Sequence, residues 1–70
     1  MIPGKIKWFN ENKGFGFVEP DNGGKDGFLH ISVWQAAGFT TPPAEGEAVL
    51  FEIGQDRKTK REKIVKIATA

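Results

Sequence analysis

The sequence has no cysteine and no tyrosine, and only one histidine and one methionine. Without cysteine there is no disulfide framework, and a single histidine cannot build a structural zinc site, so apolar packing alone must hold the fold. That composition suits a reducing compartment. No stretch approaches the roughly 20 apolar residues of a membrane span. The segment MIPGKIKWF carries charge and aromatics where a secretory leader needs an unbroken apolar run. A soluble cytoplasmic protein is the expectation. A glycine loop followed by Lys and Ser or Thr is also missing, and Ser32 is the sole serine. Nucleotide hydrolysis thus has no cradle, and His30 has no partner set for catalysis or metal binding. The reading is therefore not an enzyme, with no cofactor and no metal.

What is present fits one small domain spanning residues 1–70. A chain of this length buries only about 60% of the surface its unfolded state exposes, so each core side chain counts. The net charge of +1 hides an uneven distribution. Lysines and acids balance over residues 1–30, residues 31–56 carry four acids and no base, and residues 57–70 hold six bases against one acid. A weak overall charge is compatible with a polyanion partner where folding gathers the lysines on one side.

Turn signals at Asn10 to Lys13, Pro20 to Gly27, Thr40 to Gly46 and Gly54 to Glu62 divide the chain. Between them lie five strand-like runs: Lys5 to Asn10, Gly14 to Glu19, Gly27 to Ser32, Ala48 to Ile53 and Lys63 to Ala68. No window of a dozen residues carries a clean helical stripe, and nine glycines with Pro42 and Pro43 oppose long helices. Five short strands in 70 residues predict an all-β fold, a small five-stranded antiparallel barrel.

Strand alternation then assigns faces. In KGFGFVEP, Lys13, Phe15, Phe17 and Glu19 share one face, while Gly14, Gly16 and Val18 share the other. Charges at both ends place the phenylalanine face toward water. In DGFLHIS the apolar side is Gly27, Leu29 and Ile31, and Phe28 and His30 lie with Asp26 and Ser32 opposite. Phe15, Phe17, Phe28 and His30 therefore share a solvated face. Leaving a phenylalanine exposed forfeits roughly 1.5 to 3 kcal/mol of burial, so such a cluster marks a binding surface. In GKIKWFNE, strict alternation sets Lys5, Lys7 and Phe9 against Ile6 and Trp8; a surface Trp8 requires a bulge or bend nearby. Trp34 either extends the stacking surface or, the favoured reading, caps the open end of the barrel.

Exposed rings beside Lys5, Lys7 and Lys13 suit single-stranded RNA or DNA, whose unpaired bases stack while ammonium groups meet phosphates. Duplex DNA fits less well, because its bases are already stacked and no recognition helix is visible. KGFGFV matches most of the RNP1 pattern, but the two helices that an RRM packs on its sheet are missing and its second aromatic strand would lie upstream. A docking site for a peptide or subunit is the competing reading of the same cluster, taken without its lysines.

The run GKIKWFNENKGFGFVEPDNGGKDGFLHIS resembles the cold-shock domain signature, with KGFGFV and FLHI as its two nucleic-acid motifs. The likeness continues through Gly38, Phe39 and EGEAVLFEI and fades after Gly54. It implies a five-stranded OB-type barrel that binds single-stranded RNA and DNA, destabilises RNA secondary structure and influences transcription termination and translation; a monomer is the expected state. The binding residues it implies are Lys7, Trp8, Phe9, Lys13, Phe15, Phe17, Phe28, His30 and Phe39. Six of these, Lys7, Lys13, Phe15, Phe17, Phe28 and His30, also emerge from alternation and charge. Three positions depart from the family pattern. Ile31 stands where another surface aromatic is usual, Gly27 replaces a β-branched residue and is expected to loosen the third strand, and RKTKREKIVKIATA is unusually basic. The last of these either adds phosphate contacts or forms a solvated loop.

Overall fold

The computed structural model describes all 70 residues, Met1–Ala70. Its elements run β1 (Ile2–Asn10), β2 (Phe15–Pro20), β3 (Gly27–His30), α1 (Ile31–Ala36), β4 (Ala48–Gln55) and β5 (Glu62–Thr69). The strands form one sheet in the order β3-β2-β1-β4-β5, every neighbouring pair antiparallel. The sheet curls until β3 lies against β5, and α1 packs at that seam. This is the small all-β barrel that the turn spacing predicts. No helix is long and apolar enough to cross a membrane.

Alternation delivers the core. Val18 of β2 and Leu29 of β3 are fully buried, joined by Ile6, Trp34, Val49, Phe51, Ile64 and Ile67. Each of these buried side chains contributes about 1.5 to 3 kcal/mol toward offsetting chain entropy. In β5 strict alternation would bury only one of Ile64 and Ile67. The register slips beside Val65, which is left exposed, and both isoleucines point inward.

Several element boundaries differ from the sequence reading. β1 begins at Ile2, not Lys5, because its first residues pair with β4 while Gly4 also pairs with Pro20 of β2. β3 stops at His30, and Ile31 and Ser32 enter a six-residue helix. This helix is too short to show a stripe. It is capped by His30, whose Nδ1 accepts the Ser32 N–H at 3.1 Å. Ile31 is half-buried against the core. Trp34 is buried to 1% exposure, and its indole N–H donates to the Thr41 carbonyl at 2.6 Å, so it belongs to the core at the helix end and not to any outer surface.

Two glycines set how closely the layers approach. A Cβ at Gly16 would collide with the Trp8 carbonyl oxygen and lie 2.7 Å from both Cα and Cδ2 of Phe9. At Gly27 a Cβ would meet side chains only, Cγ1 and Cδ1 of Ile64 at 2.9 and 3.0 Å and Cδ1 of Ile53 at 3.1 Å. Those isoleucines fill the volume that a β-branched residue at 27 would take, so the third strand is not left loose there. Gly16→Ala is expected to cost about 1–3 kcal/mol through overpacking against backbone. Gly27→Ala should cost less, because side chains yield more readily than backbone. Urea denaturation of both variants checks this, and equal losses would contradict the assignment.

Candidate nucleic-acid interface

The outer face of β1, β2 and β3 carries no covering layer, and the register stacks its aromatic residues in rows. Phe17 lies opposite Trp8 on one side and Phe28 on the other, while Phe15 lies opposite His30. Four rings close a circuit. Trp8 and Phe15 have centroids 5.9 Å apart, Trp8 and Phe17 5.3 Å, Phe15 and Phe28 5.5 Å, and Phe17 and Phe28 5.8 Å. Three contacts are steeply tilted, and only Phe15 and Phe28 approach parallel, at 26°. Such tilted packing lets each ring support its neighbour while leaving part of its π-face to solvent.

Trp8 joins this face through a break in alternation. The β1–β2 register shifts between Ile6 and Trp8, so that Lys7 has no partner across the ladder. Before the bulge Gly4 and Ile6 point inward; after it Trp8 is 39% exposed and Phe9 turns toward the core. Phe9 therefore does not share a face with Lys5 and Lys7, as simple alternation predicts. Its ring lies over Gly16, half-buried. Phe39 is also apart from the four-ring circuit, stacked on Trp34 with centroids 3.7 Å apart at 9°.

Polar groups rim the rings. His30 uses Nδ1 as an acceptor for the Ser32 N–H and lies 2.9 Å from the Ser32 hydroxyl, which places the ring proton on Nε2, at the free edge. Lys13 sits in the β1–β2 turn, where its backbone N–H is held by the Asn10 side chain at 3.1 Å and its ammonium group makes no ion pair. Lys7 is engaged with Asp26 at 2.9 Å. The Asp26 hydrogen bond and charge, with Glu19 adding to them, raise the Lys7 pKa above its ordinary 10.5, so it stays cationic at neutral pH. No sequence signal announces this pair, which joins residues 19 apart.

The β4–β5 hairpin forms a second rim. Asp56 accepts backbone N–H groups from Lys58 at 2.8 Å and Thr59 at 3.3 Å, and Lys63 approaches to 3.4 Å. These contacts, the backbone ones first, hold its carboxyl below the ordinary 3.8. The cap's stabilisation is therefore present above that value and is lost as pH falls through the lowered one. Between this hairpin and the edges of Phe17 and Phe28 lies a groove of about 430 Å³. Residues 57–62 are exposed, and Thr59, Arg61, Glu62 and Lys63 line this groove with the two rings. No cluster of three or more His, Cys, Asp or Glu side chains is placed to hold a metal.

Comparison with known proteins agrees with this geometry. The model of the 'Cold-shock' DNA-binding domain family matches residues 2–69. The cold shock-like protein CspE of Buchnera aphidicola subsp. Acyrthosiphon pisum (strain APS) is 54% identical over 57 residues, 81% of each chain. CspE and the cold shock-like protein CspC of Escherichia coli (strain K12) show the same identity and coverage. Because one family model spans all five strands and all four rings, the chain belongs to the cold-shock domain family of single-stranded nucleic-acid-binding proteins.

Proposed function

We propose that this chain binds single-stranded RNA and DNA by stacking bases on Trp8, Phe15, Phe17 and Phe28, and that it acts as an RNA chaperone or regulator of transcription and translation. The carrying observation is the uncovered four-ring circuit spread over three strands. Each stacked base contributes about 1–3 kcal/mol whatever its identity, and the half-buried Phe15, Phe17 and Phe28 forgo only part of the roughly 1.5 to 3 kcal/mol of a full burial. Lys13 meets phosphates, Lys7 stands beside them held by Asp26, and His30 donates Nε2–H to a base or sugar. Phe9 and Phe39 take part from behind, Phe9 by backing Gly16 and Phe39 by holding the Trp34 end of the site. Cations at the rim favour a polyanion over an apolar peptide. The working form is a cytoplasmic monomer, and no bond is made or broken.

Binding of an oligothymidylate should quench Trp8, because Trp34 is buried and hydrogen-bonded. Phe15→Ala should weaken binding by about 5- to 150-fold, the equivalent of one lost stack. Unchanged affinity in a folded Phe15→Ala, Phe17→Ala double variant would refute stacking. Asp26→Asn should release Lys7 to the phosphates. At low salt it should tighten binding and steepen the dependence of log K on log salt by about 0.7, one further phosphate neutralised. An unchanged slope would show that Lys7 already reaches the strand.

A further inference from the structure

The groove between the rings and the β4–β5 hairpin has a chemistry that stacking alone does not use. Its volume, about 430 Å³, lies within the roughly 300–1,000 Å³ range of small-ligand pockets. Phe17 and Phe28 form one wall, and Thr59, Arg61 and Glu62 form the other. Asp56 and Lys63 also line it, but they are spent: the carboxylate caps the hairpin turn and pairs with the ammonium. Backbone bonds from Asp56 N–H to the Arg61 carbonyl at 2.9 Å and from Lys60 N–H to the Asp56 carbonyl at 2.8 Å complete the turn. The far wall is therefore fixed by bonds of its own.

Two charged side chains on that wall remain uncommitted. The Arg61 guanidinium and the Glu62 carboxylate take part in neither of the two ion pairs and in no side-chain hydrogen bond. A carboxylate beside aromatic edges repels a phosphate but accepts N–H donors, and its two oxygens match two parallel donors. Among the bases only guanine presents two such donors side by side, N1–H and N2–H. Cytosine and adenine offer one amino group next to an acceptor ring nitrogen. Thymine and uracil offer a single N–H flanked by two carbonyl oxygens, which a carboxylate disfavours. Arg61, a planar cation one residue away, suits the adjoining phosphate.

We propose that this groove is a base-selective subsite for guanine at the edge of the stacking face, with Glu62 reading the N1–H and N2–H edge and Arg61 holding the neighbouring phosphate. The proposal rests on the stacking function above and adds selectivity at one position of the bound strand.

Trp8 quenching tests it with heptathymidylate and its seven single-guanine variants, against the wild-type chain, Glu62→Gln and Arg61→Ala. In the wild type, guanine at one position should bind about tenfold tighter than thymine, the discrimination of a bidentate pair. Glu62→Gln exchanges one acceptor oxygen for an amide donor and should bring that preference to within about twofold. Arg61→Ala should weaken all eight oligonucleotides by a similar factor and flatten the salt slope by about 0.7. Amide spectra of both variants check that the barrel is intact. Equal binding of all eight by the wild type, or a guanine preference that survives Glu62→Gln, would overturn the subsite while leaving stacking in place. Loss of quenching with every oligonucleotide would instead remove the stacking function and the subsite with it.

Discussion

The structure turns on how β1 crosses β2. At Lys7 the ladder admits one extra residue, and the parity of β1 reverses. Before the bulge Gly4 and Ile6 face the barrel interior; after it Trp8 lies outside and Phe9 inside. The reversal is possible because Gly16, opposite Phe9, offers no Cβ where the Trp8 carbonyl and the Phe9 ring must pass. A side chain there would push the two strands apart, and the tryptophan would lose its place against Phe15 and Phe17. One bulge and one glycine thus join the close packing of the core to the makeup of the outer face.

That outer face is built against the usual tendency of a small domain. The core holds eight large buried side chains, yet four rings stay outside it, Trp8 exposed and Phe15, Phe17 and Phe28 half-buried. Mutual packing recovers part of the lost burial, since each ring leans on two others. What remains exposed is the surface that unpaired bases can cover. Charges are placed around the rings and not among them: Lys7 tied to Asp26, Lys13 in a turn, and the hairpin bases across a groove. A low net charge is no obstacle to a polyanion when its cations border the stacking face.

The sequence makes some of this plain and hides the rest for physical reasons. Phe15, Phe17 and Phe28 are legible because β2 and the first part of β3 alternate without interruption, and the glycines opposite them mark a crowded interior. Trp8 and Phe9 are not, because a bulge depends on the partner strand and leaves no mark in its own. The helix at Ile31 is invisible to periodicity, since one and a half turns cannot show a stripe and its start rests on the His30 side chain. Gly27 reads as a weakness until Ile53 and Ile64 are seen filling its space. The Lys7–Asp26 pair and the docking of the hairpin beside Phe17 join residues far apart in the chain, and only the closed barrel brings them together.

The central claim is that bases stack on the rings of β1, β2 and β3. The two indole N–H groups report on it separately, one on that face and one sealed in the core against Thr41. In a ¹H–¹⁵N chemical-shift titration with a short single-stranded oligonucleotide, the account predicts that the Trp8 indole and the amides of Phe15, Phe17, Phe28 and His30 move together while the Trp34 indole stays in place. Movement of the Trp34 indole and the outer face of β5, with Trp8 unmoved, would contradict it.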